Sequence, residues 1–376
     1  MLVIFGHTFS YVYNSKNNML PNSHADVIST SSIFQSLDIV KISTHWITYS
    51  SLFTQQVVPI FIAIMVFNFA LSYKRKGYAK ISDIYSKREF LARLRRFFVP
   101  FIITYVAVLI FGIIYYVLTN VNILYLNSDL LVGFLPINGP GNYFISIIFQ
   151  FLLIFPFIYL LYRKKPKLTL ISSFIVAFLF EYIASNTFFL LNNSTIYSLL
   201  IIRFLPLISL SLWISDDYQL FTKRNRFIVI LSALSIVYLI IISQFQYTMH
   251  LCGINFRPMF ASQNLFASFY QILLILVGLK YLPKSKIKLS ELLSLVGKSS
   301  YHIFLVQIVY FGLIHAGIIP LFTKYQTISD LLSVHNISII ILNLLICITT
   351  GCVFYIVDNK SKLFQTEYAN ISKVSS

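Results

Sequence analysis

The sequence predicts an all-α protein, a polytopic transmembrane helical bundle of about ten spans with the first truncated at its N-terminus. Three observations predict this. Of 376 residues, 57% are hydrophobic and only 11% are charged, whereas a soluble domain is about one quarter charged. Mean hydropathy is +0.78. The apolar residues also fall into runs approaching the roughly 20 residues needed to cross a bilayer.

The runs read in order as 1–13, 52–73, 97–118, 142–162, 168–190, 197–214, 227–245, 259–282, 300–322 and 336–357. The first, "MLVIFGHTFSYVY", resembles the outer part of a helix whose first turns are missing. It lacks a basic leader and a small-residue cleavage site, so it does not read as a cleavable signal peptide. The second run ends at Lys74, Arg75 and Lys76. The third follows the arginine-rich stretch "SKREFLARLRRFFVPF". Pro100 is tolerated there because the first N–H groups of a helix lack intrahelical partners. The fourth follows Gly139, Pro140 and Gly141, a sharp-turn signal. The fifth and sixth carry Glu181 and Arg203. The seventh follows "KRNR", the ninth opens at "KSSYH", and the tenth ends at Asp358. No internal repeat or second soluble domain is evident.

The formal charge is +17. Its distribution argues for membrane topology and against a nucleic-acid partner. Of 29 basic residues, 24 fall in alternate connections or the C-terminal tail, which the span order puts on one side. Basic connections stay cytoplasmic. This predicts a multi-pass protein of the cytoplasmic (plasma) membrane with a cytoplasmic C-terminus. The opposite connections are rich in Asn, Ser, Gly and Pro, as solvated loops are. Three cysteines show no metal-ligand spacing, and no metal is expected.

Several residues are candidates for chemistry. His7 is ionisable within an apolar run, where such a group faces the protein interior or a wet cavity. An imidazole there can act as a base near neutral pH, or can simply bond a neighbouring helix. Arg93 and Arg96 are three apart and share a helical face. They suit the phosphates of a donor such as coenzyme A, and they equally suit ordinary anchoring at the inner interface. Asn142 and Tyr143 stand at the outer end of the fourth run, where they contact an acceptor or anchor the helix. Glu181 and Arg203 invite a mutual ion pair or a polar cavity. Gln307 joins helices or faces a cavity. Serine-nucleophile, Walker and HExxH signatures are absent from the sequence, which favours direct transfer assisted by a base.

"VIFGHT" (3–8), "VVPIFIAIMVFNFALS" (57–72), "FLARLRRFFVPF" (90–101), "GPGNYF" (139–144) and "LVGKSSYHIFLVQ" (295–307) together resemble the acyltransferase-3 family of membrane acyltransferases. Their order and spacing match over essentially the whole chain. The resemblance implies a ten-helix acyltransferase domain over 1–358, with a short cytoplasmic tail over 359–376. It implies transfer of an acyl group, commonly acetyl, from cytosolic acyl-CoA to a hydroxyl of a cell-envelope carbohydrate or lipid-linked glycan. It assigns catalysis to His7 and coenzyme A binding to Arg93 and Arg96. The family's first-span arginine would fall five residues before Met1, and its penultimate-span histidine is Gln307 here. Because the first span lacks its opening turns as well as that arginine, a mis-started reading frame is the expected explanation. The alternative reading from another class is a non-enzymatic polysaccharide exporter or flippase-like protein on a similar helical core.

Overall fold

The computed structural model describes residues 52, 56–125, 133–186, 194–244, 250–251, 254–255, 265–281, 288–319 and 341–360. Within them the chain is helical, apart from a small antiparallel ladder in which His250–Leu251 pairs with Ile254–Asn255.

The first helix, α1, runs Val57–Arg75. Lys74 and Arg75 in its last turn complement the negative end of the helix dipole. Gly77, at φ +67°, then ends it. The Gly77 N–H donates to the Lys74 carbonyl and the Tyr78 N–H to the Tyr73 carbonyl, both at 3.2 Å. This is the paired closure that left-handed glycine permits.

A single turn, α2 (Ile81–Ile84), follows. Asp83 Oδ2 accepts from the N–H groups of Lys80 (2.9 Å) and Ala79 (3.2 Å). Those bonds, the one from Lys80 foremost, hold its carboxyl below the usual carboxylate range. A carboxyl with a depressed folded-state pKa stabilises above its unfolded value and loses that effect as pH falls through the folded value. Protection of the Ala79 and Lys80 amides, taken relative to their intrinsic exchange rate at each pH, is therefore expected to fall below about pH 4. Asp83→Asn should remove this pH dependence.

Helix α3 (Lys87–Thr119) has 33 residues and extends about 50 Å, well beyond the roughly 30 Å hydrocarbon core. Its basic first turns project past one end of the bundle. Then come α4 (Tyr143–Lys164), α5 (Pro166–Asn186) and α6 (Ser194–Leu199). A 3-10 turn, Ile201–Phe204, leads into α7 (Leu205–Asp216). They are followed by α8 (Arg226–Gln244), α9 (Ser268–Tyr281), α10 (Lys288–Lys298), α11 (Ser300–His315) and α12 (Ile341–Lys360).

Helix α7 is the hub. It is apolar on all sides, which suits a fully buried helix, and it packs against α1, α5 and α9. Its serines bond carbonyls of their own helix, and Ser209 meets Ser173 of α5 at 2.6 Å between hydroxyls. Small hydroxyl residues of this kind allow close approach in an apolar surround. Beside it, aromatic rings fill the space between α1 and α4. Phe151 and Phe155 stack at 4.7 Å, with Phe69 edge-on to both.

Among the described residues, five helices are long and apolar enough to cross a membrane: Val57–Arg75, Glu89–Thr119, Tyr143–Lys164, Pro166–Ala184 and Ile341–Lys360. The pair α10–α11, bent by 65°, makes a sixth if taken as one span. Arg226–Ile241 and Leu265–Tyr281 are shorter apolar helices. The expected run 197–214 is broken into α6, the 3-10 turn and α7, with Leu200 extended between the first two. The expected run 1–13 lies outside the described residues.

Candidate functional site

Contacts between helix ends identify one face of the bundle as basic. Lys74, at the end of α1, lies 3.6 Å from Asp216 at the end of α7. Arg224, just before α8, donates to Asp216 Oδ2 and to the Tyr162 hydroxyl, both at 2.9 Å. Tyr162, near the end of α4, donates to the same carboxylate at 2.9 Å. Lys76 pairs with Glu89 of α3 at 2.7 Å. Tyr301 of α11 donates to the Phe97 carbonyl of α3. His302 and Asp358 join α11 to α12 at 3.1 Å. This last partnership had no direct sign in the sequence, because 56 residues separate the two.

On this face Arg93 is half-buried. Its Nε donates to the Glu89 carbonyl at 3.1 Å. Its two Nη groups donate to the Tyr73 hydroxyl of α1 and the Ile84 carbonyl of α2. Its guanidinium lies 5.4 Å from the centre of the Tyr73 ring. One side chain therefore ties three elements together. Arg96 is exposed and rests 6.0 Å from the Phe97 ring. The two arginines thus share the basic face but differ in environment, with Arg93 braced by protein and Arg96 open to solvent.

Near the other end of α4, Asn142 is buried. Its Oδ1 accepts from the Leu135 N–H at 2.7 Å, and its Nδ2 donates to the carbonyls of Leu135 (3.0 Å) and Ile137 (3.2 Å). The side chain braces the 135–142 loop against the start of α4. Tyr143 is half-buried, with its ring 5.8 Å from the Arg203 guanidinium.

Arg203 is 1% exposed. It is boxed by Phe204 at 4.5 Å, Tyr197 at 5.6 Å and Tyr143, and it donates to the Ser198 carbonyl at 3.2 Å. Aromatic faces stabilise a desolvated guanidinium. Glu181 accepts from the Tyr197 hydroxyl at 2.6 and 2.8 Å. Tyr197 therefore stands between the two buried charges, bonding one and facing the other. Gln150 fixes this corner, donating to the Leu199 carbonyl at 2.6 Å and accepting from the Ile201 N–H at 3.2 Å. Tyr197 and Gln150 escaped the sequence reading. The signal available was the need of two buried charges for polar mediators nearby.

Gln307 is 2% exposed on α11, and its Nε2 has no hydrogen-bond partner among the described residues. His7 lies outside the described residues. No group of three or more His, Cys, Asp or Glu able to hold a metal occurs among the described residues.

An apolar helical bundle, with cations gathered at one end and buried charges held on rings, is an integral membrane protein. Residues 1–357 match the family model for an acyltransferase domain. The chain belongs to the acyltransferase-3 family. No curated protein and no solved structure matches it.

Proposed function

We propose that this membrane acyltransferase takes an acyl group, acetyl in the reading the family suggests, from cytosolic acyl-CoA. It passes the group to a hydroxyl of a cell-envelope carbohydrate or lipid-linked glycan. The observation that carries this reading is the basic face, where exposed Arg96 stands one turn from braced Arg93 in a chain of an acyltransferase family. That face lies on the cytosolic side of the plasma membrane, as does the C-terminus. A domain of about ten membrane spans over 1–358 surrounds the site. Arg96 contacts the donor's phosphates directly, and Arg93 fixes the helix that presents it. The acceptor approaches from the opposite end, past half-buried Tyr143, where Asn142 sets the loop and Arg203, Tyr197 and Glu181 form a buried polar corner behind it. Gln307 adds a buried amide donor.

In the transfer, the acceptor hydroxyl oxygen attacks the thioester carbonyl while His7 takes its proton. The C–O ester bond forms, the C–S bond breaks, and the imidazolium returns the proton to the departing thiolate. A route through acyl-His7 would use the same residue as nucleophile.

Binding of labelled acetyl-CoA to the purified protein tests this reading. Arg96→Ala is expected to weaken binding about tenfold or more, the effect of losing a charge-assisted hydrogen bond. Arg93→Ala combined with Arg96→Ala should abolish it. Arg96→Ala is the cleaner variant, because Arg93→Ala also severs the links to Tyr73 and Ile84. Binding unchanged in both variants would remove the arginines from the donor site. Glycan movement with no change in acylation would favour the exporter.

A further inference from the structure

A groove of about 380 Å³ runs between α3 and α4, separate from the residues given to acyl transfer apart from Arg93 at its mouth. Its size falls within the roughly 300–1,000 Å³ of small-ligand sites. We propose that it binds one chain of an anionic glycerophospholipid from the leaflet on the basic side, with the lipid phosphate at Arg93.

The walls are nearly all hydrocarbon. Phe98, Phe101, Ile102 and Tyr105 of α3 face Phe149 and Leu153 of α4. The α3 residues continue a helical stripe of three- and four-residue steps that begins at Phe90. Arg93 to Tyr105 covers about 18 Å along the helix. That is slightly more than one leaflet of a roughly 30 Å hydrocarbon core. The groove is therefore about as deep as a lipid chain is long between its phosphate and the bilayer midplane.

The one charged residue of the lining stands at the end nearer the basic face. Arg93 lines the groove there. A guanidinium carries five N–H groups. The three bonds to Glu89, Tyr73 and Ile84 leave two for a phosphate, which a guanidinium favours. Exposed Lys87, the first residue of α3, stands six residues further out, nearly two turns and about 9 Å along the axis. Tyr85 closes this end, donating to the Leu153 carbonyl, with its ring 6.0 Å from the Arg93 guanidinium. Phe98 and Leu153 remain 42% and 53% exposed, so the groove opens sideways, where a lipid can enter from the bilayer.

Tryptophan reporters test the assignment. Phe98→Trp and, independently, Leu153→Trp are reconstituted as full-length protein in phosphatidylcholine vesicles. These contain about one tenth brominated phosphatidylglycerol or the same fraction of brominated phosphatidylcholine. The expected result is at least threefold stronger quenching of the added tryptophan by the anionic lipid, with the preference reduced by Lys87→Gln. Val117→Trp, on the same helix but outside the groove and 72% exposed, should show no preference. Equal quenching at Phe98→Trp and Leu153→Trp by both lipids overturns the proposal. So does an equal preference at Val117→Trp, which would describe the whole lipid belt. Displacement by inorganic phosphate or by palmitoyl-CoA, with no effect of added phosphatidylglycerol, overturns it as well. None of these outcomes depends on whether the protein acylates a glycan.

Discussion

Replacing His7 with Ala is expected to lower acyl transfer by about two to four orders of magnitude, the usual contribution of a positioned general base. The amount of protein in the membrane should stay the same. An alcohol reacts slowly with a thioester while its proton remains attached. In the proposed reaction the His7 imidazole removes that proton as the C–O bond forms. The substitution takes away the base and leaves a smaller apolar side chain, in keeping with the apolar sequence on either side. Acetylation of the acceptor by membranes containing equal amounts of each protein is the measurement. Full activity in the variant would exclude His7 from the mechanism. Restoration by Asn, whose amide takes up no proton, would point to hydrogen bonding in place of proton transfer.

Gly139→Ala is expected to destabilise the bundle by about 3 kcal/mol, at the upper end of the usual cost of overpacking. A Cβ at this position would lie 2.2 Å from the Ile308 carbonyl oxygen of α11 and 2.8 Å from the Ile308 Cγ2. The oxygen belongs to helix backbone, so it cannot swing aside as a side-chain tip would. The loop must lift away from α11 or the helix must bend. Either movement pulls on the three bonds that Asn142 makes to residues 135 and 137. Gly278→Ala provides the contrast. It sits in α9 with nothing within 4 Å of a new Cβ. There the exchange should stabilise by about 0.5–1 kcal/mol through lost chain entropy. Unfolding midpoints in detergent should therefore move in opposite directions for the two variants. A Gly139→Ala protein as stable as the parent would mean that the loop does not rest on α11.

The helical, membrane-embedded character was legible because hydropathy and charge placement report directly on the solvent around each segment. Helix limits were less so. The third apolar run was expected from residue 97, yet α3 begins at Lys87. Lys and Arg favour helix and carry their charge out to water on long stems, so the helix continues where hydrophobicity stops. The break in 197–214 had a sequence signal in Pro206, which suits the first turn of a new helix and occupies that place in α7. The conformation at Leu200 had none. Spacing put Arg93 and Arg96 on one face of α3, but spacing could not tell that Tyr73 and Ile84, from two other elements, would engage only the first. Asn142 was open between acceptor contact and helix anchoring. The choice depended on where the 135–137 carbonyls turn, which is a property of the folded loop.

The knot at Asp216 carries a consequence for how the chain is assembled during synthesis. Its carboxylate emerges at the end of α7 next to a strongly cationic surface, and Arg224 arrives only eight residues later. Tyr162 and Lys74 were made long before, so the local clasp can close first and then latch onto helices already inserted. Partners for α1 and α4 are thus secured late, when the seventh helix is complete and its successor has begun.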